Sequence, residues 1–321
     1  MSLLSLEKNQ VSSSMKDKIW LFYGEAGTWK TTVASKFENV LLISFDPGYK
    51  FIHGVYATAV ANWDQFKKIF EELKLPAVKK KFDTIFIDGI DIAARMAQTY
   101  VENGKEMATM PHGTGWAKYK AELSKFSRIP QLGYGYGFIA HTKNVTDKDG
   151  KVTGVKLNLD ASTRDFVMPL VDIALYVQKE VREGVDPINV TEDDMVCYAY
   201  TGGPVEGLDT KRRARYMDDK ILFTYDSLED ALTRAIKKQG EIEGFEPVLV
   251  NKTYARSEEA FNQLIKEVEA AVSKNLEQFP ESENDILDFV VQAVGTLDLK
   301  SLSISDADKL ANLKKHLEEN E

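Results

Sequence analysis

Lys18-Ile19-Trp20-Leu21-Phe22-Tyr23-Gly24-Glu25-Ala26-Gly27-Thr28-Trp29-Lys30-Thr31-Thr32 is the stretch that decides the fold. An apolar run of strand character, KIWLFY, passes directly into GEAGTWKTT, and TTVASKF then reads as a helix. Gly24 to Thr31 match the phosphate-loop pattern G-x-x-x-x-G-K-[ST]. Strand, loop and helix in this order suit the chemistry. Backbone N–H groups of the loop and of the helix start point at phosphate oxygens. Lys30 supplies positive charge for the β- and γ-phosphates of ATP. The Thr31 hydroxyl suits Mg2+, which takes few protein ligands and keeps several waters. Gly24, Glu25, Ala26, Gly27, Thr28, Trp29, Lys30, Thr31 and Thr32 are therefore the expected nucleotide-binding residues. Trp29 stands where glycine is usual. Its N–H survives, and its ring either crowds the phosphates or projects outward. The alternative reading is an ordinary glycine turn ahead of a helix.

Val40–Phe45 (VLLISF) reads as a second strand, ending in the turn Asp46-Pro47-Gly48. Apolar residues across Trp63–Leu73 recur at helical spacing. Phe82–Ile87 is a third strand that stops at Asp88-Gly89, and a helix follows with Asp91 as its N-cap. Residues 103–115 form a loop and Trp116–Ile129 a helix. Tyr136–Ala140 is a fourth strand, ending at His141. Residues 144–160, with Asp149-Gly150 at the centre, form a hairpin or flexible loop. Val171–Val177 and Met195–Thr201 are further strands. Strands alternating with helices predict an α/β fold with a mainly parallel sheet covered on both faces.

From about Leu228 the texture changes, and 228–238, 257–275, 284–294 and 305–319 all read as helices. The expected organisation is a flexible arm at 1–15, a core at 16–245, and a helical, acidic region at 246–321. In segment 257–275, Ala260, Phe261, Leu264, Ile265, Val268, Ala271 and Val272 form one apolar stripe that must be buried. Packed on its own core it is a cap; packed on a neighbour it drives assembly.

Hydrophobic residues make up 43% of the 321 and charged residues 28%, the range of a soluble globular chain. No apolar run approaches the roughly 20 residues that span a bilayer, and the N-terminus lacks a secretory core. One cysteine, Cys197, allows no intrachain disulfide, so a cytoplasmic location is expected. The net charge of -9 argues against a general nucleic-acid coat. Charges beyond about 8 Å are screened at physiological salt, so a local basic loop can still bind phosphates.

Asp88 ends the strand TIFID, where a phosphate-loop enzyme needs a carboxylate to orient Mg2+. The other reading is a strand-end Asp that caps the next helix. Asp46 closes the strand after the phosphate-loop helix, either as a general base for the attacking water or as a turn residue before Pro47. His141 either senses the γ-phosphate or is an ordinary half-exposed histidine. Thr31 and Asp88 are the expected metal residues, and Lys30, Asp46, Asp88 and His141 the expected catalytic ones.

YGEAGTWKTT, LLISFDPGYK, TIFIDGID, the HGTGW segment and FIAHTK together resemble the phage RecA-like ATPases of the Sak type. These are AAA-type phage nucleotide-binding proteins of single-strand annealing and recombination. The resemblance spans roughly residues 18–215. It implies a RecA-like P-loop NTPase core with a helical C-terminal extension, ATP hydrolysis with Mg2+, and a homo-oligomer or filament on single-stranded DNA. In RecA-like ATPases the Asp46 strand end carries the water-polarising carboxylate, usually a longer Glu. Two loops line the DNA path, which by position are Lys105–Gly115 and Asn144–Lys156. Lys143, Lys148, Lys151 and Lys156 are then DNA contacts, or else a solvated hairpin. Trp116 reads as helix core before it reads as a stacking platform. The run Lys211-Arg212-Arg213-Ala214-Arg215 is a solvated surface, a DNA contact through Arg213, or a source of a trans-acting finger at Arg215. A phage-encoded chain would work in the host cell cytoplasm.

Three functions compete. One is a DNA-stimulated ATPase for recombination or annealing. Another is an ATP-dependent assembly or loader protein acting on replication or single-strand-binding proteins, which the acidic charge suits. The third, a small-molecule kinase, lacks a clear Arg-rich lid.

Overall fold

The structure is a computed structural model. It describes all residues except 1–8, 183, 187–189, 203–207, 249–251, 300–301, 303–309, 311–312, 315 and 318–321. For residue 112 and for 252–263 the backbone alone is described. The chain forms two compact units, one at Val11–Leu249 and one from Met1–Gln10 with Val250–Glu321.

The larger unit begins with β1 (Ile19–Gly24), the loop, and a short α1 (Lys30–Ala34). Then come β2 (Val40–Ser44), β3 (Tyr56–Ala59), α2 (Trp63–Glu72), α3 (Pro76–Lys81), β4 (Thr84–Asp88) and α4 (Ile90–Glu102). After them follow α5 (Thr114–Arg128), β5 (Gly135–Thr146), β6 (Val152–Leu157), α6 (Ala161–Leu170), β7 (Ile173–Val181) and β8 (Met195–Tyr200). β9 (Lys211–Arg212), β10 (Lys220–Leu222) and α7 (Tyr225–Glu243) complete the unit.

Strands lie in the order β10-β8-β7-β1-β5-β4-β2-β3, with β6 paired to β5 and β9 to β7. From β7 to β3 the sheet path is parallel; β8, β10, β6 and β9 join antiparallel. This is an α/β, RecA-like P-loop core. One strand, β5, separates the loop strand β1 from the Asp88 strand β4. All parallel strands therefore end at one edge, where Gly24, Asp88 and His141 meet.

The pleat explains the two-sided core, because alternate residues of a strand face opposite sides. Leu21 and Tyr23 of β1 pack with Trp63, Phe66, Leu123 and Phe126 from α2 and α5. Trp20 and Phe22 pack on the other face with Phe37, Leu228, Leu232 and Phe223. The strands are buried on both faces, which is why KIWLFY, VLLIS and TIFI read as continuous apolar runs.

One boundary differs from expectation. Residues 11–15 are not an arm: Ser12 and Met15 are buried, and the Ser13 N–H donates to Val248 O at 3.1 Å. The indole N–H of Trp20 donates to Met15 O at 2.8 Å, which ties this segment to β1. The helix from Leu228 belongs to the α/β unit, because Leu228, Ala231, Leu232, Ala235 and Ile236 fill its second core.

The second unit contains α8 (Lys252–Gln278) and α9 (Glu283–Val294). Ile265, Val268 and Ala271 of the predicted stripe pack with Val290, Val294, Leu299 and Leu310 of the same unit. The predicted helix at 305–319 falls largely outside the described residues. Among the described residues no helix is long and apolar enough to cross a membrane.

Candidate functional site

Gly24 ends β1 where its neighbours come closest: a Cβ there would stand 2.2 Å from Val177 O, so only glycine fits. Gly27 turns the loop at φ 78°, a backbone that L side chains rarely adopt. Trp29 takes φ 59° and ψ 20°, the left-handed conformation, immediately before α1. The position therefore has the shape a glycine would serve, and a tryptophan holds it at a cost of roughly 1–2 kcal/mol. Trp29 is 47% exposed, so its side chain is not packed into the core.

Lys30 is buried and turned into the loop. Its Nζ donates to Gly24 O (2.9 Å), Glu25 O (2.6 Å) and Thr28 Oγ1 (3.1 Å), which uses all three ammonium donors. Burial pulls its pKa down to about 8, against the raising pull of Asp88, Asp91 and Asp46. Thr31 Oγ1 donates to Asp88 Oδ2 at 2.9 Å. Asp88 is 2% exposed, and burial pushes its carboxyl up to about 6, opposed by the Thr31 hydrogen bond.

A second polar group adjoins the first. His141 Nε2 lies 3.3 Å from Asp46 Oδ2, and its Nδ1 lies 3.2 Å from Asp91 Oδ1. With a carboxylate at each ring nitrogen the imidazolium is favoured, since only that form donates from both. The hydrogen bond to Asp91 accordingly raises the His141 pKa despite burial. Asp91 is 2% exposed at its side chain and also accepts from Asn158 Nδ2 (3.2 Å), with Arg95 Nη2 at 3.6 Å. Burial pushes the Asp91 carboxyl up, but the hydrogen bond and charge of His141, helped by Arg95, hold it below its usual value.

Asp91 is thus not the N-cap of α4. Gly89 occupies that position, and Asp91 lies inside the first turn, turned toward His141. Asn158, Arg95 and the inward role of Asp91 escape a reading of the sequence. The one available signal is the spacing of Asp88 and Asp91, which places both carboxylates at the same end of β4 and α4.

Magnesium fits this corner. Among the described residues no three His, Cys, Asp or Glu side chains form a ready metal cage. The corner instead pairs one hydroxyl, Thr31, with one buried carboxylate, Asp88, and hard oxygen donors with open positions are what Mg2+ takes. The turn after β2 lies close by, since a Cβ on Gly48 would stand 3.6 Å from Thr31 Oγ1, and Thr31 itself is half-buried.

The predicted DNA residues divide. β5 runs on past His141 into a two-stranded ribbon with β6, so the expected hairpin is present. Lys148, Lys151 and Lys156 are exposed on it. Lys143 is half-buried and donates to Leu159 O at 3.2 Å. Lys105 is exposed, and Trp116 is 44% exposed rather than core, its ring edge against Tyr119.

The basic run 211–215 lies elsewhere. β9 pairs with the start of β7, whereas Gly24 pairs with Val177 further along it. Arg213 N bonds Asp172 O, five residues and roughly 17 Å along the strand from that level. Arg213 Nη1 is 2.6 Å from Asp172 Oδ1, and Arg212 is paired with Asp219. The structure does not bring Arg213 together with the hairpin lysines, nor Arg215 with its own Lys30. Arg215 is exposed and makes no ion pair among the described residues.

The AAA domain family model matches residues 16–216, almost two thirds of the chain and all of the site. The chain belongs to the AAA domain family. It is an AAA-type P-loop NTPase, and the matched stretch includes Lys30, Thr31 and Asp88. A curated relative of this AAA protein is the SPbeta prophage-derived uncharacterized protein YorG of Bacillus subtilis (strain 168). It is 26% identical over 291 residues, covering 86% of this chain and 85% of the relative. Among solved structures, the flagellar accessory protein FlaH from Methanocaldococcus jannaschii is similar over 64% of this chain and 84% of its own, with 10% identity and a TM-score of 0.35. A likeness that weak carries nothing about activity.

Proposed function

We propose that this AAA domain is a phage-encoded ATPase that acts on single-stranded DNA in recombination or strand annealing, as a homo-oligomer. The observation that carries the reading is the β5–β6 ribbon. It rises from the strand that ends at the nucleotide edge, and it presents Lys148, Lys151 and Lys156 to solvent. Between residues 142 and 157 there are four lysines and two aspartates, so the ribbon is locally positive on a chain of net charge -9. Such a ribbon can track a phosphate backbone, and the exposed indole of Trp116 offers a surface for a base. The prophage relative supports a phage origin.

In this reading Lys30 and the loop N–H groups hold the β- and γ-phosphates, and Thr31 and Asp88 hold Mg2+. Bound there, the metal would neutralise phosphate charge. Asp46 accepts the proton of the attacking water. The water oxygen bonds to the γ-phosphorus, the bond to the bridging oxygen breaks, and its electron pair leaves on ADP. Asp46 suits this role because one of its oxygens faces His141 and the other makes no hydrogen bond to the described residues. Arg215 points to assembly, because it makes no ion pair among the described residues and sits at the sheet edge away from its own site. Only a neighbouring copy could receive it as a finger.

The test is the ATPase rate with and without single-stranded DNA, in the wild type and in Lys148→Gln/Lys151→Gln/Lys156→Gln. Stimulation by DNA is expected in the wild type and is lost in the triple variant with basal hydrolysis retained. Binding should weaken with salt at a log–log slope of about -0.7 for each phosphate contacted. Hydrolysis that ignores DNA, with no binding at low salt, would transfer the assignment to an assembly or loader protein.

A further inference from the structure

Outside the residues that would touch ATP, one cluster around a buried carboxylate has no assigned role: Asp91, with Asn158 and Arg95, behind His141. Asp91 is a carboxylate 2% exposed, in the first turn of α4. Burying such a charge is costly unless it is paired and hydrogen-bonded. Here three groups from three elements satisfy it. His141 at the end of the sheet strand approaches to 3.2 Å, Asn158 just after β6 to 3.2 Å, and Arg95 one helical turn on to 3.6 Å. Asn158 is fixed in turn, since its N–H donates to His141 O at 2.9 Å. The His141 ring is thereby held on one side by Asp91 and on the other by Asp46.

We propose that Asp91 is a positioning residue for hydrolysis: with Asn158 it sets the His141 ring so that Nε2 fixes the carboxylate of Asp46 toward the attacking water. This rests on the ATPase reading and on Asp46 as the proton acceptor. A carboxylate at the open end of a turn has free rotamers, and a base displaced by about 1 Å can cost on the order of 100-fold in rate. The chain removes that freedom through a second carboxylate. The charges around His141 are Asp46 from the turn after β2, Asp91 from α4, Asp88 from β4 and Lys30 from α1. Asp91 supplies the principal hydrogen bond that keeps the ring charged. Without it the ring is free to turn or to discharge, and Asp46 loses its partner.

The experiment compares wild type, Asp46→Asn, Asp91→Ala, Asp91→Asn, Asn158→Ala and the double variant Asp46→Asn/Asp91→Ala. It measures kcat and KM for ATP, and the imidazole N–H signals by NMR. The chain has four histidines, so the ring signals are few enough to assign. Asp91→Ala should lower kcat 10- to 100-fold with KM within twofold. Asp91→Asn, which keeps an acceptor, should recover part of that loss, and Asn158→Ala should cost a few-fold. The double variant should be no slower than Asp46→Asn, since groups that act as a unit are non-additive. The His141 signal should shift in every Asp91 variant. If Asp91→Ala does not fold, Asp91→Asn and Asn158→Ala carry the same test. Losses that multiply, a KM that rises as kcat falls, or an unmoved His141 signal would overturn the inference alone. A folded wild type that binds ATP without hydrolysing it would overturn the ATPase reading and this inference with it.

Discussion

The two edges of the central sheet carry charge in opposite ways. At the edge where β1, β4 and the sheet part of β5 end, Lys30, Asp88 and Asp91 are buried and their pKa values are shifted, Lys30 down, Asp88 up and Asp91 down. At the edge where β7 begins, Arg212 and Arg213 are paired with Asp219 and Asp172. Asp172 also accepts from Ile19 N at 2.9 Å, so the pair fastens the start of β1. The densest basic run in the sequence is therefore mostly structural. Perturbed groups gather where chemistry is done, and satisfied ion pairs gather where elements are joined.

The comparison breaks most readily at Lys30. Lys30→Ala should reduce ATP hydrolysis by at least roughly 10²–10³-fold, the scale of losing one preorganised charge donor. Nucleotide binding measured with a fluorescent analogue should fall with it. Full activity in this variant would make the first edge as structural as the second.

Acid and base limbs sharpen it next. Asp88 ionises at about 6 and Lys30 discharges at about 8, so kcat/KM should rise through the first and fall through the second. The same carboxylate bears on stability. Its folded pKa lies above the ordinary value of 3.8, so the folded state gains protons relative to the unfolded one between those limits. Stability therefore declines as pH climbs from about 4 to 6, and the penalty persists above. At about 1.4 kcal/mol per unit this is about 3 kcal/mol. Asp88→Asn should raise the melting temperature at pH 7.5 while abolishing the Mg2+-dependent reaction. A variant melting below the wild type there would contradict the burial argument.

Arg213→Ala probes the opposite edge. Arg213 is exposed although its partner Asp172 is half-buried, and a pair with one partner in solvent is worth about 1 kcal/mol. A small loss in denaturant midpoint is expected, with DNA binding and basal hydrolysis intact. Loss of DNA affinity would move this arginine to the other side of the comparison. The smallest effect belongs to Trp29→Gly. Relief of the left-handed backbone is offset by the entropy of a glycine in the unfolded chain. Stability should change by less than about 1 kcal/mol and nucleotide affinity by less than threefold. A large change in affinity would show that the indole contacts the nucleotide.

Most of the sheet is legible in the sequence, because strands buried on both faces leave unbroken apolar runs and the phosphate loop marks where the first one ends. Lys30, Thr31 and Asp88 follow from position alone. Asp91 does not: an Asp two residues after Gly89 looks like a cap, and only the parallel pairing of β4 with β5 brings His141 across to it. Arg213 misleads for the same reason. Charge density is local in sequence, whereas the partner Asp172 lies 41 residues away. Residues 11–15 read as an arm because Ser12, Ser13 and Ser14 look solvent-loving, yet a bridge from Ser12 to Val248 holds them to the core.

β5 is twelve residues long and has no joint at His141. Five further residues, about 17 Å of pleated backbone, project from the catalytic edge before the turn at Asp147. A strand under tension transmits displacement almost without slack. Whatever grips the ribbon tip therefore holds the handle of a lever whose fulcrum is the His141 imidazole between Asp46 and Asp91.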